Sequence, residues 1–370
     1  MGCACRDDSC DTGRCISGLC VDVVDDTEGT FGGTTGSSDP TAASSDTAGV
    51  CVPSLEFGAF TSISALAIGT TERYDMDRDG RLDVVGGRGV IVSADLDIVV
   101  FPGQAPGDGG HAGMFDGDGV ADMAWGRGPE EGLVMLPGAG GDPVVTATPA
   151  TYAFAATDID GDGIDDVALS TGAGLTVWQG SAAGTFAELA HVTDDVTTWP
   201  TFVRMPAVQL VAGDDTFTRF SVYRFDGTDF AFASAFALFQ AYFLESVDAF
   251  GDGREYLLAA QSITQLTTMS SAGLLYEQGN EWLGWMADLD GRTPVSAALG
   301  DVDDDGIGEI AVVLDSSSLA LLCWTGDRFA RCGERDDLPG VQVELLPGRV
   351  LAAGDDGVWI AELTASNVCR

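Results

Sequence analysis

Residues 301–309 read DVDDDGIGE and lead straight into the apolar run IAVVL at 310–314. Two further stretches follow the same rule, DMDRDGRLD at 75–83 and DIDGDGIDD at 158–166. The shared pattern is Asp-x-Asp-x-Asp-Gly-x-x-(Asp/Glu). Carboxylates two residues apart in a tight loop converge on one point, and the glycine permits the sharp turn. Hard oxygen donors of this kind suit Ca²⁺, which takes six to eight oxygens at about 2.3–2.6 Å. Positions one, three, five and nine offer side chains and position seven a backbone carbonyl. The predicted sets are Asp75, Asp77, Asp79, Arg81 and Asp83; Asp158, Asp160, Asp162, Ile164 and Asp166; and Asp301, Asp303, Asp305, Ile307 and Glu309.

An EF-hand opens with the same residues but requires a bidentate Glu at position twelve and flanking helices. Position twelve here is Gly86, Leu169 or Val312, and the following segments DVVGG, DVALS and EIAVV are short and strand-like. The loop therefore belongs in a β-hairpin. The competing reading is an acidic turn, because Asp and Gly are natural turn residues; three copies with one spacing argue for the metal. A weaker copy, FDGDGVAD, keeps Asp116, Asp118 and Asp122 but has Met114 at position one. In VDAFGDGREY, Asp248 and Asp252 persist while Phe250 and Tyr256 replace ligands. Two more copies, from Arg204 and from Leu346, keep the strands without the acidic loop.

Loop centres near residues 77, 117, 160, 205, 250, 303 and 347 recur with a period of roughly 45 residues. The unit around Asp301 reads VSAALGD, loop, EIAVVL, turn, LALLCWTG, DRFARCG, and the unit around Asp158 divides the same way. Four short strands per repeat at this period are the signature of a propeller blade. The predicted fold class is all-β, a β-propeller of about seven four-stranded blades spanning 51–370, with six or eight blades left open by the degenerate units.

On these loops and on strand phrases such as GLTVWQG and DIVVFPG, the chain resembles the FG-GAP/VCBS repeat proteins. Their propeller is like that of the integrin α-subunit head, and the resemblance covers most of 58–370. It implies Ca²⁺ in the hairpin loops and a role in adhesion or ligand recognition, with an enzyme scaffold as a rarer use. Two of the seven units lack the acidic loop and two are incomplete, so calcium at every blade is not implied.

The formal charge is −41, from 58 acidic and 17 basic residues, and every basic residue is Arg. Such a surface repels nucleic-acid phosphates and anionic membranes, which excludes both as expected partners. The most membrane-like stretch, FAFASAFALFQAYFL at 230–244, falls short of the roughly 20 residues a spanning helix needs. Its large residues alternate with Ala, which predicts strands.

Five of the nine cysteines lie at Cys3, Cys5, Cys10, Cys15 and Cys20. A dense cluster in a loop-rich segment reads as a small disulfide knot of an exported protein rather than a zinc site, since no His is near. Residues 1–21 form this cysteine-rich segment and 22–50, rich in Gly, Ser, Thr and Asp, a flexible tether. Cys5, Cys10, Cys15 and Cys20 make two bonds in this reading, Cys323 and Cys332 bridge adjacent strands, and Cys51 and Cys369 lock the ring. The remaining Cys3, after Met-Gly, resembles the lipidated cysteine of a bacterial lipoprotein.

With two histidines, His111 and His191, in different repeats, no Ser-His-Asp or Cys-His arrangement can be drawn. His111 reads as a solvated turn residue. Trp125, Trp178, Trp324 and Trp359 fall within predicted strands. Trp282 and Trp285 fall in the longest inter-repeat segment and are the best candidates for an exposed ligand contact. The expectation is a monomeric, exported, calcium-binding surface module for recognition or adhesion of a protein or glycan, without catalytic residues. The alternative is an extracellular carbohydrate-binding or carbohydrate-active protein.

Overall fold

The computed structural model describes residues 14–16, 19–21, 52–68, 70–76, 81–93, 95–100, 110–126, 132–193, 198–205, 207–214, 218–238, 241–263, 269–278, 281–315 and 317–368. Seven antiparallel sheets account for nearly all of them. We number these sheets as blades 1–7 in chain order. Blade 6 shows the plan: Pro294–Gly300, Glu309–Leu314, Ser318–Trp324 and Phe329–Arg335 pair as a simple meander. Blades 1 to 5 begin at Thr71, His111, Thr151, Thr198 and Ala241 and repeat it.

Blade 7 is assembled from both ends of the chain. Gln342–Leu346, Arg349–Gly354 and Gly357–Val368 supply three strands, and Val52–Phe57 adds the outer one. Val52 pairs with Val368, so the ring is closed by hydrogen bonds between residues more than 300 positions apart in sequence. The predicted Cys51–Cys369 lock lies outside the described residues, as do Cys3, Cys5, Cys10 and the 22–50 tether. Cys15 and Cys20 are backbone register partners in a short hairpin. Cys323 and Cys332 form the expected disulfide, between the third and outer strands of blade 6.

The apolar runs of the second strands have a direct cause. In Glu309–Leu314 every residue is buried. Ile310, Val312 and Leu314 pack toward blade 5, whereas Ala311 and Val313 pack toward blade 7. Alternate side chains of one strand thus feed two different inter-blade cores, and both faces must be apolar. The same holds around the ring: seven hydrophobic clusters occupy the seven interfaces between neighbouring blades. Outer strands are more exposed, and the Phe230–Leu244 stretch resolves into the outer strand of blade 4, Phe230–Ala237, and the first strand of blade 5, Ala241–Val247. Among the described residues no helix is long and apolar enough to cross a membrane.

The first strands face one another around the axis, each touching the first strand of the next blade. Their ends carry the loops that enter the second strands, which places the sequence-predicted metal loops together on one rim.

Candidate metal centres

Three loops bring carboxylates together. Asp158, Asp160 and Asp166 in blade 3, Asp301, Asp303 and Glu309 in blade 6, and Asp116, Asp118 and Asp122 in blade 2 each offer oxygens within 4.8 Å of one another. The first two sets are positions one, three and nine of the motif. In blade 2, where Met114 takes position one, the set is three, five and nine. In the complete copies position five turns back on the loop: Asp162 Oδ1 accepts from Ile164 N at 2.8 Å, and Asp305 Oδ1 from Ile307 N at 2.8 Å.

Position nine has a structural duty of its own. Its carboxylate accepts a hydrogen bond from the backbone N–H of position two in all four acidic loops: Met76 to Asp83, Phe115 to Asp122, Ile159 to Asp166 and Val302 to Glu309, at 2.9–3.0 Å. Asp122 and Asp166 use their second oxygen to accept from Gly138 N and Gly180 N, beyond the third strand. These side chains are almost fully buried. Burial raises the Asp122 and Asp166 carboxyls to about 6, and Glu309 to about 8. Backbone donors oppose the shift and the neighbouring carboxylates add to it.

The remaining oxygens fit a cation. Asp303 Oδ1 is buried with no hydrogen-bond partner, and burial beside Asp305 and Asp301 raises this carboxyl as well. Position one binds the loop backbone: Asp158 accepts from Gly161, Asp162 and Gly163, and Asp301 from Asp305 and Gly306. The glycine at position six is required by conformation, since Gly119, Gly163, Gly253 and Gly306 all have φ near +80 to +90°. An all-carboxylate donor set on a backbone-braced loop matches a hard divalent ion such as Ca²⁺.

In blade 1, Asp75 and Asp83 hold the equivalent places, whereas Asp77 and Asp79 lie outside the described residues. Arg81 of that loop is exposed and pairs with Asp95 at 2.7 Å. Ile164 and Ile307, predicted to offer their carbonyls, bury their side chains. Blade 5 replaces charge by aromatic packing. Phe250 and Tyr256, at positions three and nine, meet edge to face with centroids 5.2 Å apart, and Phe250 also packs on Trp285 and Trp324. Blades 4 and 7 close their first hairpins with tight turns, pairing Met205 with Ala207 and Leu346 with Arg349.

Sequence reasoning missed position eight. Asp165 accepts from Met114 N of blade 2 at 2.7 Å, and Glu255 accepts from Arg204 N of blade 4. Each is a latch from one loop to the previous blade. A single repeat gives no hint of it, because the donor lies about 50 residues upstream.

Two readings are corrected. His111 is not a solvated turn residue: it opens the first strand of blade 2, sets Nδ1 2.8 Å from a Glu72 carboxylate oxygen and packs edge-on against Phe154. Trp282 and Trp285 are not in a connecting segment. They lie in the outer strand Glu281–Asp288 of blade 5, whose length, with the ten-residue strand before it, lengthens the repeat. Trp282 packs at a tilt against Phe236 and donates to Ser234 Oγ, and Trp285 stacks on Tyr276. Both are half-buried between blades rather than presented as platforms.

No protein-family model matches the chain, and no curated protein matches it. Solved structures do match, at the level of fold. A BBS1 N-terminal region crystallised in complex with ARL6 has a TM-score of 0.57 and 11% identity, covering 86% of this chain and 100% of that one. YCF48 bound to a D1 peptide gives 0.52 and 10%, covering 86% of this chain and 99% of that one. Raptor from Chaetomium thermophilum gives 0.55 and 11%, with 86% of this chain covering 29% of that one. The protein is a seven-bladed β-propeller.

Proposed function

We propose that this propeller is a calcium-braced recognition module working outside the cell or on its envelope. The observation that carries the calcium reading is the convergence of three carboxylates, at recurring motif positions, in each of three rim loops. Ca²⁺ would be held in blade 3 by Asp158, Asp160 and Asp166, in blade 6 by Asp301, Asp303 and Glu309, and in blade 2 by Asp116, Asp118 and Asp122. The ion supplies positive charge where buried carboxylates repel, and so adds its binding free energy to the folded state. Its role is structural.

Recognition is supported by two structural neighbours that were solved with a protein or peptide partner. Export rests on the cysteine usage and the Cys323–Cys332 bridge, because disulfides persist in oxidising compartments. Isothermal titration with Ca²⁺ tests the first claim. Two or more equivalents bound, with one lost on Asp160→Ala, support it; no binding at millimolar Ca²⁺ refutes it. Labelling of intact producing cells with a membrane-impermeant reagent tests the second, and a protein protected until lysis would refute surface location.

A further inference from the structure

The first strands enclose a cavity of about 610 Å³ on the propeller axis. All seven blades contribute to its wall, which includes Glu72, His111, Phe154, Phe202, Glu245 and Ser296. The wall is thus part apolar and part acidic, and Glu344, buried on the first strand of blade 7, acts on Glu245 from behind it. Two of the three carboxylates are provided for. Glu72 binds His111 Nδ1 and the backbone N–H of Ala112. Glu344 bonds Thr71 and lies in the field of Arg73, whose own Nη1 donates to Leu299 O. Glu245 lines the cavity and makes no hydrogen bond or ion pair among the described residues; Arg73 acts on it only as the weakest of the charges around it.

We propose that this channel is a binding site for a small organic cation, with an alkylammonium group seated on Glu245. Glu245 is half-buried at the cavity wall, and a carboxylate held there without a hydrogen bond is costly, a cost that a cation of matching size reduces. Three features select an amine over a bare metal ion. The channel carboxylates do not gather within 4.8 Å as the rim carboxylates do, so no compact ligand cage exists there. The cavity is far larger than an ion. Its Phe154, Phe202 and Leu244 walls suit the methylenes of an alkyl chain. The net charge of −41 draws cations to the protein in the first place. The groups facing Glu245 are Glu72, Glu344 and Arg73, with His111 beyond Glu72. Burial, then Glu344 and Glu72, raise the Glu245 carboxyl, and a bound ammonium reverses that pressure.

Isothermal titration of the full chain in saturating Ca²⁺, which occupies the rim, tests the site with 1,5-diaminopentane and the uncharged 1,5-pentanediol as probes. The diamine is expected to bind one per chain and the diol not at all. Glu245→Gln keeps the shape and should weaken the diamine at least about tenfold, the scale of one charge-assisted hydrogen bond. Equal binding of diol and diamine, unchanged affinity in Glu245→Gln, or no binding of the diamine overturns the proposal. Should the variant fail to fold, a diamine-soaked crystal of the unmodified protein decides. A nitrogen within hydrogen-bond distance of Glu245 supports the site, and diamine seen only at the rim overturns it.

Discussion

Calcium should stabilise this ring by an amount that one exposed residue controls. Asp160 sits at position three of the blade 3 loop, in the cluster with Asp158 and Asp166. Apart from that cluster it accepts, among the described residues, only from Asp162 N at 3.1 Å and from the Gln179 amide at 2.6 Å, both at the surface. Asp160→Ala in EDTA therefore removes no buried contact, and the change in unfolding free energy is expected within about 0.5 kcal/mol. With Ca²⁺ at a hundred times the site's dissociation constant, each occupied site adds about 2.7 kcal/mol. The variant should lose about that much of the calcium-dependent gain and keep the share from blades 2 and 6. Urea denaturation of both proteins in EDTA and in Ca²⁺ gives the four free energies needed. Asp142→Ala, an exposed carboxylate outside the loops, controls for bulk charge. If Ca²⁺ stabilises Asp160→Ala as much as the unmodified protein, or stabilises neither, the metal-loop reasoning fails.

Three other outcomes follow from the geometry. Burial, and for Glu245 the neighbouring Glu344 and Glu72, raise both the Glu245 and the Glu344 carboxyl above the ordinary carboxylate range. The folded state thus keeps protons that the unfolded chain releases. That stability is fully present below about pH 4.5 and is lost as pH rises through the raised folded values. Denaturation at pH 5 and pH 9 should show this fall, and Glu245→Gln should reduce it, the raised rim carboxyls of Asp122, Asp166 and Glu309 supplying the remainder. Leu55, 4% exposed in the closing strand, packs in the core between blades 6 and 7. Leu55→Ala should cost about 2–4 kcal/mol in urea denaturation, and a loss under 1 kcal/mol would mean that the closing strand does not hold the ring. Reducing the Cys323–Cys332 bridge, which spans nine positions, should remove about 2–3 kcal/mol, read by melting with and without reductant.

The sequence by itself determined the all-β class, a count of about seven blades, the positions of the acidic loops and the pairing of Cys323 with Cys332 in blade 6. These features are local. A turn needs its Asp and Gly within nine residues, a strand shows its burial in its own composition, and repetition multiplied each signal. It also showed which loops are degenerate, although not that Phe250 and Tyr256 would meet ring to ring at positions where other loops carry carboxylates. What only the tertiary structure decided is which residues meet across blades. Asp165 and Glu255 look like ordinary loop acids until the neighbouring blade brings Met114 N and Arg204 N to them. Trp282 and Trp285 look available until the long strand of blade 5 folds them against Phe236 and Tyr276. Glu72, Glu245 and Glu344 stand up to about 270 positions apart, and no pattern along the chain connects them. Ring closure alone sets their spacing, by fixing where seven first strands stand around one axis.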